Sequence, residues 1–157
     1  MSDPSILIVG LGNALRTDDG AGILAVRGLA EAGLPERVRV AEHRGDGLAL
    51  LDLWAGFDRV ILCDAVAADL EPGTVISIDL TDQDPPDAPT PSSTHGLGLK
   101  ESVAMARALG QLPARCLLVG VVLAELALGA HPSPPVLAAI QHATETIRAA
   151  VTRLSKE

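Results

Sequence analysis

The sequence predicts an α/β fold, a three-layer α/β/α sandwich in which a mostly parallel, roughly five-stranded sheet carries helices on both faces. Short apolar runs rich in Val, Ile and Leu alternate with segments of helical periodicity, a pattern typical of parallel strands that are buried on both faces. Hydrophobic residues make up 48% of the chain but only Trp54 and Phe57 are aromatic, so we expect a core of Val, Ile, Leu and Ala. Because domains typically contain about 100–150 residues, the 157 residues predict a single domain over 1–157.

The first half of the chain is predicted to contain three strands and two helices. Ile6–Val9 is the first apolar run, and the helix that follows from about Asp18 ends at Gly33, a residue type that commonly terminates helices. The third strand, Arg59–Cys63, is apolar after its first residue and is expected to be central. The remaining two elements are a strand over Val38–Val40 and a short helix over Leu48–Trp54. The side chains expected to face the core from the two helices are Ala21, Leu24, Leu29, Leu48, Leu51 and Trp54.

The second half begins with a turn at Pro72-Gly73, which leads into Thr74–Ile78, an alternating segment that suits an exposed edge strand. Residues 80–95 contain four prolines among Asp, Ser and Thr, a composition that favours neither helix nor strand, so we predict a long loop. The last three elements are a helix over Leu97–Leu109, a strand over Arg115–Val121 and a helix that starts at the capping signal Ser133-Pro134. The predicted core stripe of this last helix is Val136, Leu137, Ile140, Ile147 and Leu154.

Composition and charge exclude several classes of function. Cys63 and Cys116 each lie in an apolar run without C-x-x-C spacing, which indicates buried free thiols rather than a disulfide or a zinc site. The net charge of −8 and the scattered basic residues argue against nucleic-acid binding, which depends on Lys and Arg at phosphates. Neither a secretory signal nor an apolar run of the roughly 18–20 residues that span a membrane is present, so we expect a cytoplasmic protein.

Acidic residues and one histidine fall where the strands of such a fold end. Asp18 and Asp19 lie in the turn after the first strand, Asp64 directly ends the predicted third strand, and His95 closes the long loop. Ligands of open α/β sheets bind just beyond the carboxyl ends of the strands. Each residue also has a structural interpretation, as a helix cap for one of the paired aspartates, a turn residue for Asp64 and a loop residue for His95.

Two carboxylates and an imidazole suit two kinds of chemistry. Together they could hold a divalent metal such as nickel, zinc or iron, or Asp19 and Asp64 could transfer protons beside a histidine. The glycine-rich turn at Gly10-Leu11-Gly12 does not predict a dinucleotide site, because the third glycine of that fingerprint is replaced by Leu15.

Three stretches resemble the hydrogenase maturation endopeptidases. Residues 6–22 match the family's G-x-G-N-x-x-x-x-D-[DE]-x-x-G pattern through Gly10, Gly12, Asp18, Asp19 and Gly22. Residues 62–66 resemble the D-A stretch after the third strand, and residues 93–99 resemble the S-x-H-x-x-G-L segment. The resemblance extends over nearly the whole chain.

The resemblance implies a nickel-dependent, aspartic-type protease that removes a C-terminal extension from the large-subunit precursor of a [NiFe] hydrogenase. The implied metal and catalytic residues are Asp19, Asp64 and His95, with Ni²⁺ carried by the substrate and bound only weakly by the free enzyme. Asp18 matches the neighbouring acid of the motif and is interpreted as a helix cap or as support for a ligand. The expected partner is the precursor, and we expect the enzyme to be monomeric.

One segment departs from the family pattern and two rival functions stay open. Where many relatives have D-G-G-T, this chain has Glu42–Gly47, a loop that includes His43 and that we expect to contact the substrate. His43 could also be an additional ligand. The rivals are a metal-independent aspartic peptidase that uses Asp19 and Asp64, and a non-catalytic module that binds a small ligand.

Overall fold

The computed structural model describes residues 5–12, 17–44, 47–86, 98–124 and 132–157, and within them it contains one five-stranded sheet. The strand order is β2-β1-β3-β5-β4, and only the β4–β5 pair is antiparallel. The strands are β1 (Ile6–Leu11), β2 (Val38–His43), β3 (Arg59–Val66), β4 (Val75–Asp79) and β5 (Arg115–Val122). The prediction of a mostly parallel α/β sheet with β3 at its centre and the fourth strand at an edge is confirmed.

Helices cover the two faces of the sheet, as the predicted sandwich requires. They are α1 (Ala21–Ala32), α2 (Gly47–Trp54), α3 (Leu99–Leu109) and α4 (Pro134–Leu154), and a 3₁₀ turn over Thr17–Gly20 precedes α1. Successive residues of a strand face opposite sides of the sheet, so each strand contributes to both core layers. Ile8 and Ile61 pack with α1 and α4 on one face, whereas Val9 and Leu62 pack with α2 and α3 on the other. None of the helices in the described ranges is long and apolar enough to cross a membrane.

The structure corrects three details of the sequence prediction. Asp64 lies inside β3, because the strand continues to Val66 through pairing with β5, and therefore it does not end the strand. Leu48 is 59% exposed and Leu137 is 55% exposed, although both were expected in the core. In α4 the buried stripe instead includes alanines such as Ala139 and Ala143, whose small side chains let the helix pack closely on α1.

The two cysteines behave as predicted, since both are free and fully buried. Burial raises the pKa of the Cys63 thiol far above its ordinary value, and it raises the pKa of Cys116 to about 12. Neither thiol is therefore suited to act as a nucleophile, because nucleophilic attack requires the thiolate.

Candidate active site

The strand order creates a crevice between β1 and β3 at the carboxyl edge of the sheet. The chain leaves β1 towards β2 on one side, and after β2 it returns to β3 on the other side of β1. The helices after β1 and β2 cover opposite faces, because α1 belongs to one core layer and α2 to the other. Such a topological switch point is the usual ligand site of open α/β sheets.

Asp19 is brought to this crevice by close backbone packing that only glycine permits. Gly12, just after β1, has a φ of +125°, and a Cβ atom there would lie 2.0 Å from the Asp19 carbonyl oxygen. A Cβ atom on Gly22, in the first turn of α1, would lie 2.1 Å from the Cys63 carbonyl oxygen of β3. Both glycines of the motif therefore serve to place the Asp19 turn directly against β1 and β3.

Asp64 enters the same crevice from β3, where it pairs with Gly120 of β5 and is half-buried. Burial raises the pKa of its carboxyl group to about 8, with a further rise from the negative charge of Asp19 and an opposing contribution from the backbone N–H of Ala65. The structure thus brings two of the three predicted site residues, Asp19 and Asp64, within electrostatic reach of each other. Two facing carboxylates either share a proton or attract a cation.

Asp18 has a different environment from its neighbour. It is completely buried, and its carboxylate accepts hydrogen bonds from the backbone N–H of Ala124 at 2.6 Å, the N–H of Ser133 at 2.6 Å and the Ser133 hydroxyl at 2.9 Å. Gly20 rather than Asp18 occupies the N-cap position of α1, so these hydrogen bonds favour the other interpretation of Asp18, as support for a ligand. The Asp18 side chain contacts Ala124, which follows β5, and Ser133, the N-cap residue of α4.

The third predicted site residue, His95, lies outside the described residues, and α3 is the next described helix after it. The antiparallel strand β4 ends near the start of β5, at the amino edge of the sheet. Arg107, near the end of α3, donates hydrogen bonds to the carbonyl oxygens of Leu80 and Gln83, each at 2.6 Å, in the segment that follows β4. Since α3 ends at this amino edge, its first residue, Leu99, lies towards the carboxyl edge.

The other histidines occupy distinct positions. His43 is half-buried at the carboxyl end of β2, where its carbonyl oxygen accepts a hydrogen bond from the N–H of Gly12 at 3.1 Å. It therefore borders the candidate site, and its role as a ligand or substrate contact stays a prediction. His142 is exposed on α4, as expected of a surface residue, and His131 lies outside the described residues.

A family model described as HycI, hydrogenase maturation protease, matches residues 23–150 of the chain. The chain belongs to the hydrogenase maturation protease family. This is a family of peptidases, and the match includes Asp64 and His95 but begins after Asp19.

Individual members of the maturation protease family are also similar to this chain. Hydrogenase 2 maturation protease of Escherichia coli is 34% identical over 149 residues, which cover 93% of this chain and 90% of that protein. The hydrogenase expression/formation protein HupD of Thiocapsa roseopersicina is 34% identical over 128 residues, which cover 80% of this chain but 57% of that longer protein. The structure of the hydrogenase maturating endopeptidase HybD from E. coli matches with a TM-score of 0.77 and 31% identity, and the match covers 95% of this chain and 93% of that one.

Carboxylate oxygens such as those of Asp19 and Asp64 are suitable ligands for a divalent cation. Burial and, to a smaller extent, the negative charge of Asp19 disfavour the ionised form of Asp64 and raise its pKa, and a cation between the two side chains would offset the effect of Asp19. Within the described ranges no group of three His, Cys, Asp or Glu side chains could hold a metal by itself. Two carboxylates leave coordination positions open for an imidazole or for ligands that a substrate brings.

Proposed function

We propose that this chain removes a C-terminal extension from the large-subunit precursor of a [NiFe] hydrogenase after nickel has been inserted. The proposal depends on one observation. The carboxyl groups of Asp19 and Asp64 interact electrostatically at the switch point between β1 and β3, in a chain of the maturation protease family. We further propose that it acts in the cytoplasm as a monomer on a nickel-loaded precursor.

In this proposal Asp19, Asp64 and His95 would hold the nickel ion that the precursor carries. When bound, nickel would supply a fixed docking point and a Lewis acid next to the peptide to be cut. Close packing fixes the backbone of the Asp19 turn against Gly12 and the start of α1 against β3 at Gly22, so the segments that carry the two aspartates are in place before the substrate arrives. Such preorganisation contributes to catalysis because it removes the entropy cost of orienting the reacting groups.

A second candidate function has support of its own. The pKa of about 8 means that Asp64 holds a proton at neutral pH, and a protonated carboxyl beside a second aspartate is the arrangement that an aspartic peptidase requires. In that mechanism Asp19 and Asp64 would transfer protons to and from an attacking water molecule without a metal.

One experiment separates these functions. The purified protein is incubated with the same precursor in a nickel-loaded and a nickel-free form, and the mass of the large subunit is followed. Cleavage of the loaded form alone supports the nickel-dependent protease, whereas equal cleavage of both forms refutes it in favour of the aspartic peptidase. Cleavage of neither form indicates a binding module. Asp64→Ala serves as the inactive variant, and Asp52→Ala, which alters an exposed aspartate on α2, serves as its matched control.

A further inference from the structure

Asp18 is the one charged residue among those described that is completely buried. One carboxylate oxygen accepts the N–H of Ser133, and the other accepts both the N–H of Ala124 and the hydroxyl of Ser133. Because donors converge on both oxygens, the carboxylate is fixed in position and in rotation. A group held in this way also fixes the backbone to which it is attached.

The partners of Asp18 connect it to the strand that carries the other half of the site. Ala124 follows the last residue of β5 by two positions, and the intervening Leu123 donates its N–H to the carbonyl oxygen of Val66 in β3. Asp64 lies on the same stretch of β3 and pairs with Gly120 of β5. Two hydrogen bonds and the short backbone segments between them therefore connect the turn that carries Asp19, through Asp18 and the end of β5, to the stretch of β3 that contains Asp64.

Gly12 and Asp18 restrain the Asp19 turn from two directions. Gly12 sets its distance from β1, since the Asp19 carbonyl group occupies the space that a side chain at position 12 would fill. Asp18 sets its position relative to β5 and to the start of α4. Without the second restraint the turn could move away from β3, and the Asp19 carboxylate would move with it.

We propose that Asp18 is a positioning residue that sets the separation of the Asp19 and Asp64 carboxylates for the cleavage reaction. This inference rests on the proposed function. Asp18 does not itself touch the substrate, because it is enclosed by the protein. Its effect on the reaction passes through the adjacent Asp19.

The test uses three variants of the full chain. Asp18→Asn keeps the size of the side chain but replaces one acceptor oxygen with an NH₂ group, which faces an N–H donor in either orientation. Ser133→Ala removes the hydroxyl donor and keeps both backbone donors. Val151→Ala is the matched control, because it removes buried apolar volume near the far end of α4 and so lowers stability away from the site.

Cleavage of the nickel-loaded precursor is measured at saturating substrate and at a temperature where every variant is folded. Misplacement of one group by about 1 Å can cost about 100-fold, so we expect kcat to fall at least tenfold in Asp18→Asn and about threefold in Ser133→Ala. Val151→Ala should keep the kcat of the wild type. A wild-type kcat in folded Asp18→Asn would overturn the proposal, since a purely structural role affects stability alone. If Asp18→Asn does not fold, the kcat of Ser133→Ala is the test. A reduced kcat supports the proposal, and a wild-type kcat overturns it.

A crystal structure of the Asp18→Asn or Ser133→Ala variant provides a readout that does not depend on cleavage. We expect the separation of the Asp19 and Asp64 carboxylates to change relative to the wild type, and an unchanged separation would overturn the positioning role. If the wild type leaves the nickel-loaded precursor intact, the proposed function fails, and the structural comparison still tests the role of Asp18.

Discussion

Replacing Asp64 with asparagine should make the protein more stable while it abolishes cleavage. The Asp64 carboxyl group has a pKa of about 8 in the folded chain, against an ordinary value of 3.8. At a pH between these two values, Asp64 is ionised in the unfolded chain but still protonated in the folded chain. The folded state binds more protons than the unfolded state in this window, and therefore stability falls as the pH rises from about 4 to about 8. At pH 7 the full shift would correspond to about 4 kcal/mol. Water screens a half-buried charge, so we expect a measured gain of about 1–2 kcal/mol.

The gain can be measured by urea unfolding at several pH values from 5 to 8.5. Trp54 is the single tryptophan, and it is buried, so its fluorescence reports the unfolding of the α2–α3 layer. The stability difference between Asp64→Asn and the wild type should grow with pH and level off above about pH 8. The exposed Asp52→Asn change is the control and should show no such growth. A variant that is less stable than the wild type at pH 7, or a difference that is constant with pH, would refute the electrostatic reasoning.

Three further predictions concern single side chains. Gly22→Ala should strongly destabilise or unfold the protein, because its Cβ atom would overlap the Cys63 carbonyl group. Gly28→Ala in the same helix would make only an ordinary contact with the Thr144 hydroxyl at 3.8 Å and should raise the melting temperature, since alanine favours a helix by about 1 kcal/mol over glycine. Arg107→Ala should lower the free energy of unfolding by about 1–3 kcal/mol, measured in urea, because two carbonyl acceptors near the end of β4 lose their donor. Asp19→Ala and His95→Ala should each abolish precursor cleavage, followed by mass, while circular dichroism shows an intact fold; detectable cleavage by either would remove that residue from the site.

Elements set by local pattern could be predicted from the sequence, and details set by tertiary packing could not. The apolar run of β3 and the glycine after α1 identified their elements directly. Leu48 and Leu137 were misplaced because helical periodicity alone does not fix which face of a helix the neighbouring elements cover. Asp64 was placed at the end of β3 because a polar residue usually ends an apolar run, but pairing with β5 extends the strand beyond it.

The same distinction between local sequence pattern and tertiary packing applies to the candidate site. That Asp19 and Asp64 lie at the same edge of the sheet could be inferred, since the carboxyl ends of parallel strands meet at one edge. The partners of Asp18 could not, because Ser133 is 115 residues away and its sequence signal was that of a helix start. The N-cap assignment of Ser133 is confirmed, and its hydroxyl nevertheless bonds to Asp18 rather than to its own helix.

The long sequence separation between Asp18 and its partners also has a consequence for the order of events during synthesis. The chain grows from the amino terminus, so Asp18 and Asp19 are made early, whereas Ala124 and Ser133 follow 106 and 115 residues later. Contacts of such long range form slowly, because the entropy of closing a large loop must be overcome first. The hydrogen bonds of Asp18 to Ala124 and Ser133 therefore form only after these later residues have been made, and a ribosome-bound chain that stops before α4 should lack the restraint that they place on the Asp19 turn.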